Sequence, residues 1–79
     1  MYHTYIATFF SHFGAIRFSR ELKKKGMKAT VMPVPRNLSS SCGTCVSYES
    51  ENWDAAGISE ELEQIVQVVD EGYQKVYEG

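Results

Sequence analysis

Residues 5–10, TyrIleAlaThrPhePhe, are an unbroken run of apolar, aromatic and β-branched side chains. A strand of that composition must be covered on both faces, so Tyr2 to Phe10 is expected at the centre of a sheet. Directly after it the period changes. Ala15, Phe18 and Leu22 fall at i, i+3 and i+7 beside Ile16, and Gly26 follows a lysine run. That spacing predicts a helix that starts between Ser11 and Gly14 and stops at Gly26.

Lys28 to Val34 then alternates, with β-branched and apolar residues, and Pro33 and Pro35 cannot donate to a ladder, so this second strand should be an edge or should end there. A loop rich in Asn and Ser runs from Arg36 to Gly43. Thr44 to Ser50 reads as a third strand, with Val46 and Tyr48 on one face and Cys45, Ser47 and Glu49 on the other. SerGluAsnTrpAspAlaAlaGly is a connection. Ser59 suits an N-cap, and Leu62, Ile65, Val66 and Val69 keep helical spacing up to Gly72, which predicts a second helix. Tyr73 to Tyr77 is a short last strand. The expected fold is therefore α+β and ferredoxin-like, βαββαβ, a single domain over 1–79. Its four-stranded antiparallel sheet has the order 4-1-3-2, with two helices on one face. The face without helices would be open, and it invites a second copy of the chain, a homodimer.

That topology decides which loops are neighbours. Strands one and two run the same way, so the end of strand one, the start of the first helix and the loop after strand two share one end of the sheet. His12 and Cys42 should meet there. His3, at the beginning of strand one, belongs at the opposite end, about 20 Å away at ~3.3 Å per residue.

Size and charge narrow the function. A chain of 79 residues buries only roughly 60–65% of its unfolded surface, which excludes a large cleft between domains. The formal net charge of −2 argues against a nucleic-acid partner, but it averages two unlike halves. Residues 1–40 hold Arg17, Arg20, Lys23, Lys24, Lys25, Lys28 and Arg36 against Glu21 alone, whereas residues 41–79 hold Lys75 against nine acids. Cys42 and Cys45 are too few and too close for a disulfide framework. With no secretory signal in MYHTYIATFF and no apolar run of membrane-spanning length, the expectation is a cytoplasmic protein without a membrane partner.

The informative segment is SerSerSerCysGlyThrCys, residues 39–45: a thiol in a small-residue loop, followed by a glycine that lets a partner approach closely. Thiolate chemistry is favoured by helix N-termini, imidazolium and guanidinium groups, and the candidates here are the first helix, His12 and Arg36. Cys42 could then accept a sulfur or selenium atom as a persulfide or its selenium analogue, with Cys45 as a resolving thiol or simply a packed one. A thioredoxin-like site is disfavoured, because a strand rather than a helix follows the pair. A soft-metal chaperone would carry its cysteines in the loop after strand one, which here is SerHisPheGly. Zinc wants four ligands, and His3 and His12 are placed at opposite ends, so one chain alone does not close a site. No cofactor is expected, with zinc as the alternative. Glu60, Glu61 and Glu63 read as the solvated face of the second helix.

Pro33, Val34, Pro35, Arg36, Ser40, Ser41, Cys42 and Gly43 match the signature of the selenium/sulfur carrier protein-like family, and the chain resembles that family along nearly its whole length. The resemblance implies a non-enzymatic carrier in which Cys42 holds the atom, with Arg36, Ser40, Ser41 and Gly43 around it, and strand direction adds His12 to that loop. It implies a donor, a cysteine desulfurase or a sulfur/selenium relay protein, and an acceptor enzyme. In this family apolar residues commonly follow CysGly, whereas Thr44 and Cys45 stand here. The second thiol keeps open an alternative: a redox switch or zinc-binding interaction module using Cys42 and Cys45 together.

Overall fold

The computed structural model describes residues 2–79. Its elements are β1 (His3–Phe9), α1 (His12–Lys24), β2 (Ala29–Pro33), β3 (Thr44–Ser50), β4 (Leu62–Val69) and β5 (Gly72–Glu78). The strands form one sheet in the order β2-β3-β1-β4-β5, every neighbouring pair antiparallel. β1 is central, as its two apolar faces require. Because β3 is antiparallel to both β1 and β2, those two run the same way with β3 between them.

The four-stranded, two-helix ferredoxin-like expectation is corrected in its second half. Residues 62–69 are a strand paired with β1, and β5 returns beside it as an edge instead of pairing with β1 itself. The helical spacing has a specific cause. Ala7 pairs with Ile65, Thr8 with Gln64, and Phe9 with Leu62, so a bulge at Glu63 brings residues three apart onto one face. Leu62 and Ile65 both join the core under α1, while Val66 points to the other side. Ile65, Val66, Val68 and Val69 favour a strand through their β-branching. Asp70 and Glu71 form the two-residue turn of a hairpin, with Val69 opposite Gly72.

α1 covers one face of the sheet. Ser11 caps it, accepting from the Gly14 amide at 3.2 Å, and Gly26 leaves it at φ +79°. Phe18 and Leu22 pack on Tyr5, Ala7 and Phe9 of β1, Val46 and Tyr48 of β3, and Leu62 and Ile65 of β4. The connection between β3 and β4 takes the place expected for a second helix. Trp53, Ala55 and Ala56 pack on this core, Trp53 stacks on Tyr77 of β5 at 5.3 Å, and the Tyr48 hydroxyl donates to the Trp53 carbonyl at 2.6 Å.

The other face buries Ile6, Cys45 and Val66, with Met32, Val34, Leu38 and Tyr73 packed around them. The loop between β2 and β3 therefore folds back over the face expected to be open. Its base is closed by the Val34 amide donating to the Gly43 carbonyl at 3.1 Å. Among the described residues no helix is long and apolar enough to cross a membrane.

Candidate functional site

Three elements meet at one end of the sheet: the start of α1, the loop from Val34 to Gly43, and the start of β4. β4 organises the other two. The side chain of Glu61 accepts from the Ser11 hydroxyl, the group that caps α1. Two residues on, the Glu63 carboxylate accepts from the Ser41 amide at 3.1 Å, the Ser41 hydroxyl at 2.6 Å and the buried Thr8 hydroxyl at 3.1 Å. Gln64 donates to the Ser39 carbonyl at 2.8 Å. The cysteine loop is thus fastened to the sheet on the N-terminal side of Cys42. Partial burial pushes the Glu63 carboxyl up, but the hydrogen bonds from Ser41 and Thr8 outweigh it and hold the group below the ordinary glutamate range. Ser40 lies beside the same carboxylate, and its buried hydroxyl makes no hydrogen bond of normal geometry.

Cys42 is half-buried against the core under α1, and its thiol donates to the Thr44 carbonyl at 3.5 Å. The Thr44 hydroxyl is 3.1 Å from Nδ1 of His12, the first residue of α1. The thiol and the imidazole contact different groups of Thr44, its backbone carbonyl and its side-chain hydroxyl, and the expected meeting of His12 with the Cys42 loop is what the structure contains. Gly43, between them, has φ +74° with open space where a Cβ would stand. An L side chain is disfavoured there by backbone conformation and not by crowding.

Cys45 is turned away. It has no exposed surface, sits on the opposite face of the sheet with Ile6 and Val66, and donates to the Pro33 carbonyl at 3.7 Å. Burial first, and the nearby Cys42 second, push its thiol above the ordinary cysteine range. Arg36 is exposed in the loop, and the described residues give it no ion pair. His3 is at the far end of β1, opposite Ser50, with Nδ1 3.2 Å from the Gln67 amide group. Among the described residues no three His, Cys, Asp or Glu side chains converge as metal ligands.

Glu61 and Glu63 are the site residues that sequence reasoning misplaced, on the solvated face of a second helix, and Gln64 is one it did not single out. The one available signal was the serine run itself: three hydroxyls and their amides need acceptors, and the loop holds no carboxylate of its own. Phe10, half exposed, lines a hollow of about 280 Å³ beside this end together with Ser39, Glu63, Gln64, Lys75 and Glu78.

Residues 4–78 match the model of the family described as "Putative Se/S carrier protein-like". No curated protein and no solved structure matches the chain.

Proposed function

The chain belongs to the Se/S carrier protein-like family, and from that premise we propose that Cys42 is its carrier thiol. It holds a sulfane sulfur or a selenium atom and passes it to a partner enzyme. The observation that carries this reading is the way the thiol is presented. Cys42 stands on a loop whose backbone is fastened to β4 through Ser39 and Ser41, with the unobstructed Gly43 next to it and His12 held close by on the Thr44 hydroxyl.

In the loading step the Cys42 thiolate attacks the terminal sulfur of a donor persulfide. The donor's S–S bond breaks, the donor cysteine leaves as a thiolate with the bonding electrons, and Cys42 gains the S–SH group. Delivery is the same exchange onto an acceptor. The donor is a cysteine desulfurase or a sulfur/selenium relay protein. His12 holds Thr44, the residue after Gly43, through the contact of its Nδ1 with the Thr44 hydroxyl, and so helps to position the loop. Cys45, buried on the other face with its thiol on the Pro33 carbonyl, is a packed residue in this reading, and its withdrawal favours a lasting adduct over collapse to a disulfide.

Incubation with a cysteine desulfurase and free cysteine, followed by intact-mass measurement, tests the assignment. The expected result is one added sulfur atom, absent in Cys42→Ser and retained in Cys45→Ser. A chain that gains no mass, or gains it equally without Cys42, refutes it.

A further inference from the structure

The outward face of α1 carries charge and apolar surface in an order the fold itself does not use. Phe13, Arg17, Arg20 and Lys24 follow helical spacing along one exposed ridge, opposite the buried Ala15, Phe18 and Leu22. Lys23 and Lys25 extend the positive end, and Glu21 is the helix's single acid, 3.7 Å from Lys24. Among the described residues Arg17, Arg20 and Lys23 have no carboxylate within ion-pair distance. At the other end of the ridge, next to His12, the structure exposes the Phe13 ring, at 64%, with the Arg17 guanidinium 5.7 Å above it. From Phe13 to Lys24 the ridge is about 17 Å long at 1.5 Å per residue, and its Phe13 end adjoins His12, which contacts Thr44 two residues after the proposed carrier thiol.

We infer that this ridge is the docking surface for the protein that exchanges sulfur or selenium with Cys42, and that the partner presents an acidic face with a reactive cysteine at one end and an apolar recess for Phe13. An exposed phenylalanine ring beside arginines is the composition of protein interfaces. Unpaired bases in a chain of net charge −2 are a local attraction that the rest of the molecule opposes, so it orients a partner as well as drawing it in. The occupant is a protein and not a nucleic acid because the sign reverses between the ridge and the cysteine loop: Glu61 accepts from Ser11, the cap of α1, and Glu63 accepts from Ser41, next to Cys42. A protein surface can change sign along its length, and a polyphosphate cannot. The inference rests on the carrier reading for its purpose, but its test does not.

The probe is a pair of helical peptides, each with one cysteine at an end, one bearing glutamates and the other lysines at the same positions. All protein variants carry Cys45→Ser, and Cys42 is first converted to its mixed disulfide with thionitrobenzoate. The peptide thiolate attacks the Cys42 sulfur, the thionitrobenzoate thiolate leaves with the bonding electrons, and its colour gives the rate. Each rate is divided by that peptide's rate with a small disulfide of the same leaving group. The glutamate peptide should be faster by about tenfold or more at low salt, with near parity at about 0.5 M. The Arg17→Glu/Arg20→Glu/Lys24→Glu variant should lose the preference, and Phe13→Ala should slow the glutamate peptide.

Equal rates, or a faster lysine peptide as net charge alone predicts, overturn the inference. So does competition by a single-stranded oligonucleotide as strong as that of the glutamate peptide, or a salt-sensitive dimer that the triple reversal dissolves. Charge discrimination by a protein whose Cys42 never gains sulfur in the loading assay would leave this surface standing and remove the carrier reading.

Discussion

Glu63→Ala removes the fastening of the cysteine loop, and its cost can be worked from the three bonds that Glu63 accepts. Thr8 has no exposed surface, so its hydroxyl, donating at 3.1 Å, loses its partner with no solvent to replace it. An orphaned buried hydroxyl costs about 1–3 kcal/mol. The Ser41 amide and hydroxyl face water and rehydrate, so their loss is roughly 0.5 kcal/mol each after screening. The expected total is about 2–4 kcal/mol, and its lower end, about 2 kcal/mol, already lowers the melting temperature of a domain this small by roughly 10 °C.

The same energy, if concentrated on the loop, speeds amide exchange at Ser41 by a factor of about 30. Thermal unfolding and hydrogen exchange of Glu63→Ala, with Glu60→Ala as an exposed control, measure both. Adding Thr8→Val to Glu63→Ala should recover about 1 kcal/mol, because it removes the stranded hydroxyl. A Glu63→Ala protein that melts with the wild type and exchanges Ser41 at the wild-type rate would refute the reasoning.

Three other outcomes follow. The folded-state pKa of Glu63 is depressed, so its contribution is fully present above the ordinary glutamate range and is lost as pH falls through the folded value. Ser41 protection should therefore hold near neutrality and fall in acid below about pH 4.3, and Glu63→Gln should abolish that dependence. Gly14→Ala should destabilise by about 2 kcal/mol despite better helix propensity, because its new Cβ would overlap the Cβ of Glu61. Gly43→Ala meets nothing and should cost only the backbone term of about 1–2 kcal/mol; calorimetry on the pair compares them. With a chromogenic disulfide reagent at neutral pH, Cys42 should react about 100-fold faster than buried Cys45, and both should react in denaturant.

The first half of the chain was legible because its periods are unmixed: an apolar run for β1, a clean helical stripe with Ser11 and Gly26 at its ends for α1, and strict alternation for β3. Residues 62–69 were misread because a bulge gives a strand the spacing of a helix, and the β-branched content of IleValGlnValVal was the signal that should have prevailed. The site followed the same division. His12 and the Cys42 loop could be placed together from strand direction alone, since both lie at the end toward which β1 and β2 run. The roles of Glu61, Glu63 and Gln64 could not. They depend on the register of β4 against β1, and no local pattern in the loop specifies which distant carboxylate will receive the Ser41 hydrogen bonds.

The central claim is that Cys42 keeps its atom because Cys45 is held on the other side of the sheet. Its most direct test is the lifetime of the loaded protein after removal from the donor, followed by mass spectrometry of the alkylated chain. The added atom should map to Cys42 and decay no faster in the wild type than in Cys45→Ser. Rapid release of sulfide with formation of a Cys42–Cys45 disulfide, prevented by Cys45→Ser, would contradict it.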